Sequence, residues 1–454
     1  MEPPQHGQSQ LVRIAEDILS HTKRLVSCLS DRSSAPPTSL EVGAHSELWV
    51  SDIHDGGDST IEQHRNALRG LVQQLEKLVE GPHGFLHEYV STNWEHGALY
   101  ALLEFGILEQ IPLDGAISIA QLAERRGHLP SEKLLRVCRL VACAGILKET
   151  EEGVFAHTAI SEELVRDAGF RSWVAFQLYE TRVASAHLAD SLRQSNPFWE
   201  GQSAFEYAWG LPMYDWHAKH PRQGQRFAEA MESVSKNLDP GNSMILSWFS
   251  AQSGIHEDET ALVVDVAGKT GSFAAELARS FPKLKFEVQD SSETLLRRGQ
   301  ESLQQPLTNR VIFRQRELFA MRSFDEHVQG EELLPRVFLL RSVLWCLNDE
   351  SCIRLLRSFI PALQHASRPA LLINDLVSPV WGTFEPHIER AFRRRDVTVM
   401  TMHNAKQRTS AEWDALFRAA SDRFRIEYRE AYSSHSCRGL WTIQLDATDA
   451  GGRS

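Results

Sequence analysis

The residues with the clearest chemistry lie between positions 262 and 290. Leu262-Val-Val-Asp-Val-Ala-Gly-Lys-Thr-Gly-Ser272 sets a β-branched apolar run, with Asp265 inside it, in front of Gly268 and Gly271. An Ala-rich amphipathic segment from Ser272 to Phe281 follows, then Pro282, then a second apolar run closing on Asp290, 25 residues after Asp265. Glycines let a turn approach a ligand closely, a helix N-terminus offers free N–H groups, and a carboxylate at a strand tip accepts both hydroxyls of a ribose. The stretch predicts strand, tight turn, helix and strand around a nucleoside-bearing cofactor; the plainer alternative is a glycine turn kept for packing.

The rest of the chain must position that unit. Its 454 residues are 42% hydrophobic, enough for two to three domains. Lys and Arg number 48 against 60 Asp and Glu, a net charge of −12, which disfavours nucleic acid and anionic membranes as partners. Cys28, Cys138, Cys143, Cys346, Cys352 and Cys437 have no paired metal-ligand spacing, and no secretory signal or apolar run of membrane-spanning length is visible. A reduced, soluble, intracellular protein without a metal is expected.

In chain order, a polar tail to about Gln10 precedes a helical pattern from Leu11 to Leu29. Asp31 to Thr60 reads as a flexible connection and Ile61 to Glu80 as a second helix. Helices are expected over Ala98–Leu108, Ser118–Arg126 and Ser131–Ala144, the last with Ser131 as N-cap, then a small hairpin from Gly145 to Thr158 turning at Glu-Glu-Gly. This winged-helix pattern would suggest DNA binding, but residues 93 to 165 carry six basic against eleven acidic side chains, so it reads as a packing or dimerisation module. Ser172–Leu192 and Tyr214–Lys236 are long amphipathic stretches. The aromatic segments Phe198-Trp-Glu-Gly and Ala204 to His217 between them suit interdomain packing or the wall of an apolar pocket. Further strands are expected at Arg310–Arg316, Arg336–Val343, Ala370–Val377, Arg423–Arg429 and Gly439–Leu445, with an Asp349-initiated helix to about Leu363. Seven strands with interleaved helices predict a doubly wound α/β sheet with its ligand at the carboxyl ends of the strands.

Several motifs stand together in one order. They are His157-Thr158 with Ser161 before Leu164, Ala204-Phe-Glu, Arg226-Phe-Ala-Glu-Ala-Met231, the glycine turn, Phe281-Pro282, Val288-Gln-Asp290, and Asp396 to Thr409 with Trp413. On these, from about Asn93 to Leu445, the chain resembles the fungal and plant-type S-adenosylmethionine-dependent O-methyltransferases, and is similar to the methyltransferase-like pericyclases of fungal natural-product pathways. The resemblance implies an α/β fold, a Rossmann-like seven-stranded class I methyltransferase domain preceded by an α-helical winged-helix-like dimerisation domain. Residues 1–60 would form an N-terminal helix and flexible segment, 61–165 the dimerisation domain, 166–240 a helical linker forming part of the substrate pocket, and 241–454 the cofactor domain. It further implies a cytoplasmic homodimer binding S-adenosyl-L-methionine or S-adenosyl-L-homocysteine through Asp265, Gly268, Gly271, Asp290, Ser291, Glu317, Leu318 and Arg341.

Departures from the family pattern carry the functional expectation. Where the family has a general-base His, in a Leu-His-Asp-Trp-x-Asp motif, this chain reads Leu344-Trp-Cys-Leu-Asn-Asp349, which puts Trp345 at the base position. An indole N–H has no basic lone pair, and general-base assistance is worth roughly 10²–10⁴-fold. The Glu that orients the base is replaced by Gln407, while Asp375 keeps a carboxylate; Lys269 replaces a usual glycine, and Cys346-Leu347 an Asp-Trp pair.

The first expectation is therefore a pericyclase that binds the cofactor without methylating. It would carry out dehydration-linked cycloaddition or Alder-ene closure of a polyketide or polyketide–amino-acid hybrid. A shaped pocket would act together with a positive charge, from the sulfonium or from Arg341, whose alternative role is an ion pair at the strand end. Catalytic candidates are Arg341, Trp345, Asp375 and His403; pocket candidates are Met231, Trp345, His387, Met400, His403 and Asn404. The second expectation is an active O-methyltransferase that recruits His403 or His387, or accepts an already acidic enol or phenol. The third is a non-catalytic partner subunit.

Overall fold

The computed structural model describes residues 9–31, 41–43, 59–127, 129–193, 202–237, 241–251, 255, 259–321, 334–365, 368–432 and 437–446. Most of the expected flexible connection, both tails and the Phe198-Trp-Glu-Gly segment lie outside them. The chain divides into two compact units, one of Met1–Leu192, Ala204–Leu238 and Phe384–Ala391, the other of Arg193–Ser203, Asp239–Thr383 and Phe392–Ser454.

In the first unit, α1 (Gln10–Asp31) precedes α2 (Ser59–Glu104), which is interrupted at Gly81 (φ 66°, ψ 173°) just before Pro82. A left-handed glycine suits a helix end and proline suits a helix start, so the helix expected to stop at Glu80 gives way directly to a second one. β1 (Ala116–Ser118), α3 (Ile119–Arg125), α4 (Ser131–Cys143) and the hairpin β2 (Leu147–Glu151) and β3 (Val154–His157) follow. Ser118 caps α3 in a capping box with Gln121. The expected cap at Ser131 is instead Pro130, which has no side-chain bond, and Ser131 is the first helical residue. The three strands form an antiparallel sheet in the order β1-β3-β2 over a core that includes Leu102, Ile107, Leu122, Val141 and Phe155.

The amphipathic stretch from Ser172 is not one helix. α5 (Ala168–Phe176) runs into a single π-helical turn, Gln177–Thr181. That turn carries Glu180, fully buried, which accepts from His217 Nε2 at 2.7 Å and from Arg226 Nη2 at 2.6 Å on α6 (Pro221–Asn237). Beside Arg226 lies a polar cavity of about 270 Å³ whose lining includes Glu104, Arg171, Ser172 and Glu229.

The second unit is built on seven strands: β4 (Ala261–Val266), β5 (Leu284–Asp290), β6 (Val311–Gln315), β7 (Pro335–Arg341), β8 (Ala370–Leu376), β9 (Phe424–Tyr432) and β10 (Cys437–Leu445). Their order is β6-β5-β4-β7-β8-β10-β9. The first five are parallel and β10 is antiparallel to both β8 and β9. Every residue of β4 and β8 is buried, as expected of strands covered on both faces.

Register decides what this sheet presents. Asp265 pairs with Val288 and Leu339, so Asp290 and Arg341 each lie two residues further along their strands, and Arg341 pairs with Asn374 beside Asp375. Four charged residues therefore gather at the carboxyl edge, where doubly wound sheets bind ligands.

Candidate active site

The turn after β4 is wound tightly. Ala267 (φ 58°), Lys269 (φ 56°) and Gly271 (φ 66°) are left-handed. Gly268 is required for space rather than for φ, because a Cβ there would lie 2.6 Å from Asp265 Oδ2 and 2.9 Å from Val288 Cγ1. Gly271 needs both, since its Cβ would lie 2.9 Å from Phe313 and from Val288. α7 (Ser272–Ser280) starts at Gly271 with no side-chain cap, which leaves its first amides as donors for a ligand.

Asp290 stands beside this turn. Its Oδ2 accepts the Lys269 amide at 3.1 Å and its Oδ1 the Ser292 amide at 2.9 Å, which fixes the carboxylate while each oxygen keeps a lone pair for a further donor. Burial pushes the Asp290 carboxyl up, opposed by the amides of Ser292 and Lys269. Asp265, buried below the turn, is pushed up to about 7 by burial, with Arg341 pulling the other way. Arg341 Nη2 donates to Asn242 Oδ1 at 2.7 Å, and its guanidinium lies 4.5 Å from the centre of the Phe273 ring on α7. Arg341 thus lies on the glycine-turn side of the edge. Ser291 is exposed, and its carbonyl takes Gln315 Nε2 at 3.0 Å; Glu317 and Leu318 form a turn closed by Ala320 N on Glu317 O. A carboxylate with two fixed oxygens next to a glycine turn and uncapped amides fits a nucleoside-bearing cofactor.

The second half of the edge is the loop after β7. Trp345 sits in a 3₁₀ turn, Leu344–Cys346, and its indole N–H donates to Ser342 O at 3.1 Å. Asp375 Oδ2 accepts the amides of Val343 (3.2 Å), Leu344 (2.8 Å) and Trp345 (3.2 Å), and its Oδ1 the Leu376 amide (2.7 Å). Burial raises the Asp375 carboxyl, countered by Arg438 and these amides. With no exposed surface, Asp375 holds the loop and does not face a substrate.

From the other side Arg408, whose side chain is fully buried, donates to Leu344 O at 3.1 Å, Leu347 O at 2.7 Å and Asp349. Its buried guanidinium was a structural signal the sequence did not disclose. Gln407 is also buried; its backbone amide donates to Asp396 Oδ1 at 2.8 Å, while its side-chain Nε2 is without a partner among the described residues.

His403 ends α8 (Pro386–His403), its ring centre 6.0 Å from that of Trp345 at 84°. Asn404 (φ 49°) turns the chain there by donating its amide to Met400 O at 3.0 Å. Trp345, His403, Met400 and Asn404 are all half-buried. Met231 and His387 fall in the other unit. His387 packs on α2, where a Cβ at Gly70 would meet its Nδ1 at 2.7 Å, and burial lowers its pKa. Among the described residues there is no cluster of metal-ligating side chains, and no helix is long and apolar enough to cross a membrane.

A family model described as O-methyltransferase domain matches residues 186–423. Over 421 residues the chain is 56% identical to the protein named O-methyltransferase phnC of Penicillium herquei, covering 92% of this chain and 96% of that one. Its fold is similar to a solved structure described as a pericyclic reaction enzyme, with a TM-score of 0.67 and 16% identity over 88% of this chain and 98% of that one. It is similar also to LepI solved in complex with SAM, with a TM-score of 0.67 and 17% identity over 88% and 98%. At such identities the two structures speak for the fold alone.

Proposed function

This chain belongs to the O-methyltransferase family, and from that premise we propose that it methylates a hydroxyl that is already acidic, an enol or phenol of a polyketide-type secondary metabolite, without a protein general base. The observation that carries the reading is Trp345. By the family resemblance it stands at the base position, its indole N–H donates to Ser342 O, and Gln407 has no carboxylate to offer. An oxyanion formed before binding needs neither.

S-adenosylmethionine supplies a methyl group on a sulfonium, and transfer to an oxyanion leaves a neutral thioether and a neutral ether with no proton to place. On this chain Asp290 would accept the ribose hydroxyls, while the glycine turn and the α7 amides would hold the polar end of the cofactor. Asp375 and Arg408 clamp the Trp345 loop, so that the indole forms a wall of fixed position. The likeness to LepI in complex with SAM and the family membership support this cofactor assignment. Leu86, Tyr89, Val90 and Trp94, exposed at helical spacing on α2, support a homodimer joined by that face.

A second reading keeps the cofactor intact and closes a ring in the substrate. The missing base and the fold likeness to a pericyclic reaction enzyme favour it; the 56% identity to a protein named an O-methyltransferase favours the first.

The test is incubation with methyl-labelled S-adenosylmethionine and hydroxyaromatics of graded acidity. Label is expected in those ionised at the assay pH, with a rate that follows the substrate's own ionisation. A product of unchanged mass, or lighter by one water, beside unconsumed cofactor would establish ring closure instead.

A further inference from the structure

The cavity of about 270 Å³ in the first unit is walled by the end of α2, by α5 and by α6. On α6 the residues that line it, Arg222, Gln225, Arg226 and Glu229, recur at helical spacing and so share one face. Met231, expected in the substrate pocket, follows Glu229 by two positions and so stands about 200° round the helix from it. The cavity is therefore a second concavity, on the opposite face of α6. Its volume, below the roughly 300–1,000 Å³ usual for drug-sized ligands, limits the occupant to a small molecule.

Three guanidiniums line the cavity, and each already faces a carboxylate. Arg222 Nη1 lies 2.8 Å from Glu104 Oε1, Arg226 Nη2 lies 2.6 Å from Glu180 Oε1, and Arg171 Nε lies 3.3 Å from Glu109 Oε1. Glu229 adds a fourth carboxylate with no cation within 4.0 Å among the described residues. Ser172 Oγ donates to its Oε2 at 2.9 Å and Gln225 Nε2 to its Oε1 at 3.0 Å. These neutral donors fix the carboxylate while each oxygen keeps a lone pair, so the wall holds one uncompensated negative charge in a set position. An anion entering here would have to displace a carboxylate from its arginine. A primary ammonium would meet Glu229 directly, with Leu103 and Ala175 as apolar contact for a short methylene chain. Arg226 lines the same cavity with its Nε buried and without a partner among the described residues, a donor that calls for a neutral acceptor on the ligand.

We propose that this cavity binds a small primary ammonium carrying a neutral oxygen acceptor, an amino alcohol in its simplest form, with Glu229 as the counter-ion. The site is built entirely from the first unit, and it stands whether the chain methylates its substrate or closes a ring in it.

Calorimetric titration of the full chain with 4-aminobutanol, with and without saturating S-adenosylhomocysteine, tests this. Saturable binding is expected, with the same affinity in both conditions. It should be at least about tenfold tighter than that of choline, which has the charge without an ammonium N–H, and of 4-hydroxybutyrate, whose charge is opposite. Glu229→Gln removes the charge at nearly constant shape and should weaken 4-aminobutanol at least about tenfold, with the melting temperature of the free chain little changed. Absence of saturable binding, a preference for 4-hydroxybutyrate, or equal affinity in Glu229→Gln would overturn the proposal. So would binding abolished by S-adenosylhomocysteine, which would put the amine at the glycine turn. The comparison of the three ligands on the unaltered chain decides the matter even where the variant does not fold.

Discussion

Asp375 Oδ2 and the backbone amide of Trp345 lie 3.2 Å apart, and the same oxygen takes the two preceding amides. The carboxylate that the sequence offers as a catalytic partner of Trp345 is thus the peg on which the Trp345 loop hangs. Asp375→Asn puts at most one acceptor oxygen where two served, and should cost about 2–4 kcal/mol of unfolding free energy. Chemical denaturation measures it; an unchanged midpoint would return Asp375 to the list of catalytic candidates.

Trp345→His alone should not restore base catalysis, because Gln407 cannot orient or stabilise a protonated imidazole. Trp345→His combined with Gln407→Glu should raise methylation of a weakly acidic phenol by roughly 10²-fold, with little change for one already ionised. Initial rates on the two phenols, for the single and double variants, decide it.

The buried Asp265 carboxyl gives a pH signature. Its folded pKa is raised from 3.8 to about 7, so its contribution to stability is fully present below the unfolded value and is lost as pH rises through 7. The full displacement corresponds to on the order of 4 kcal/mol. Asp265→Asn should therefore flatten the profile of melting temperature against pH between about 4 and 7 relative to the unaltered chain. Parallel profiles would contradict the assignment.

Glu180 satisfies His217 and Arg226 at once inside the first unit. Glu180→Leu takes from the guanidinium its shorter ion pair, leaving it the 3.5 Å contact with Glu104, and should destabilise by about 3 kcal/mol. Replacing Glu180 and Arg226 together by apolar residues should recover much of that, a coupling that a double-mutant cycle reads directly.

Where the sequence was legible, the reason is physical. Strands buried on both faces, β4 and β8 above all, must be apolar runs, and the seven strands of the large sheet were expected in order, while glycines at a crowded turn marked Gly268 and Gly271. β1 escaped notice because three residues carry no periodicity, and the π turn at Gln177–Thr181 because its sequence reads as ordinary helix.

Side-chain roles were harder to foresee, since the partner of a polar atom is chosen by distant chain. Nothing near Asp375 in sequence shows that its oxygens meet residues 343–345, and nothing near Arg408 shows that it reaches Leu344 and Leu347. Arg341, expected both among the cofactor residues and as a donor to substrate, lies over Phe273 beside the glycine turn.

Among the described residues, five that are not glycine have left-handed backbones, and four of them, Ala267, Lys269, Ser342 and Asn404, stand at the glycine turn, the head of the Trp345 loop and the end of α8. Each costs of order 1 kcal/mol that the rest of the fold must supply. The heat resistance of the whole molecule and the sharpness of its reactive edge therefore hang on the same four peptide units. Selection for a tougher protein that eased them with glycine would loosen, in the same stroke, the geometry on which its chemistry depends.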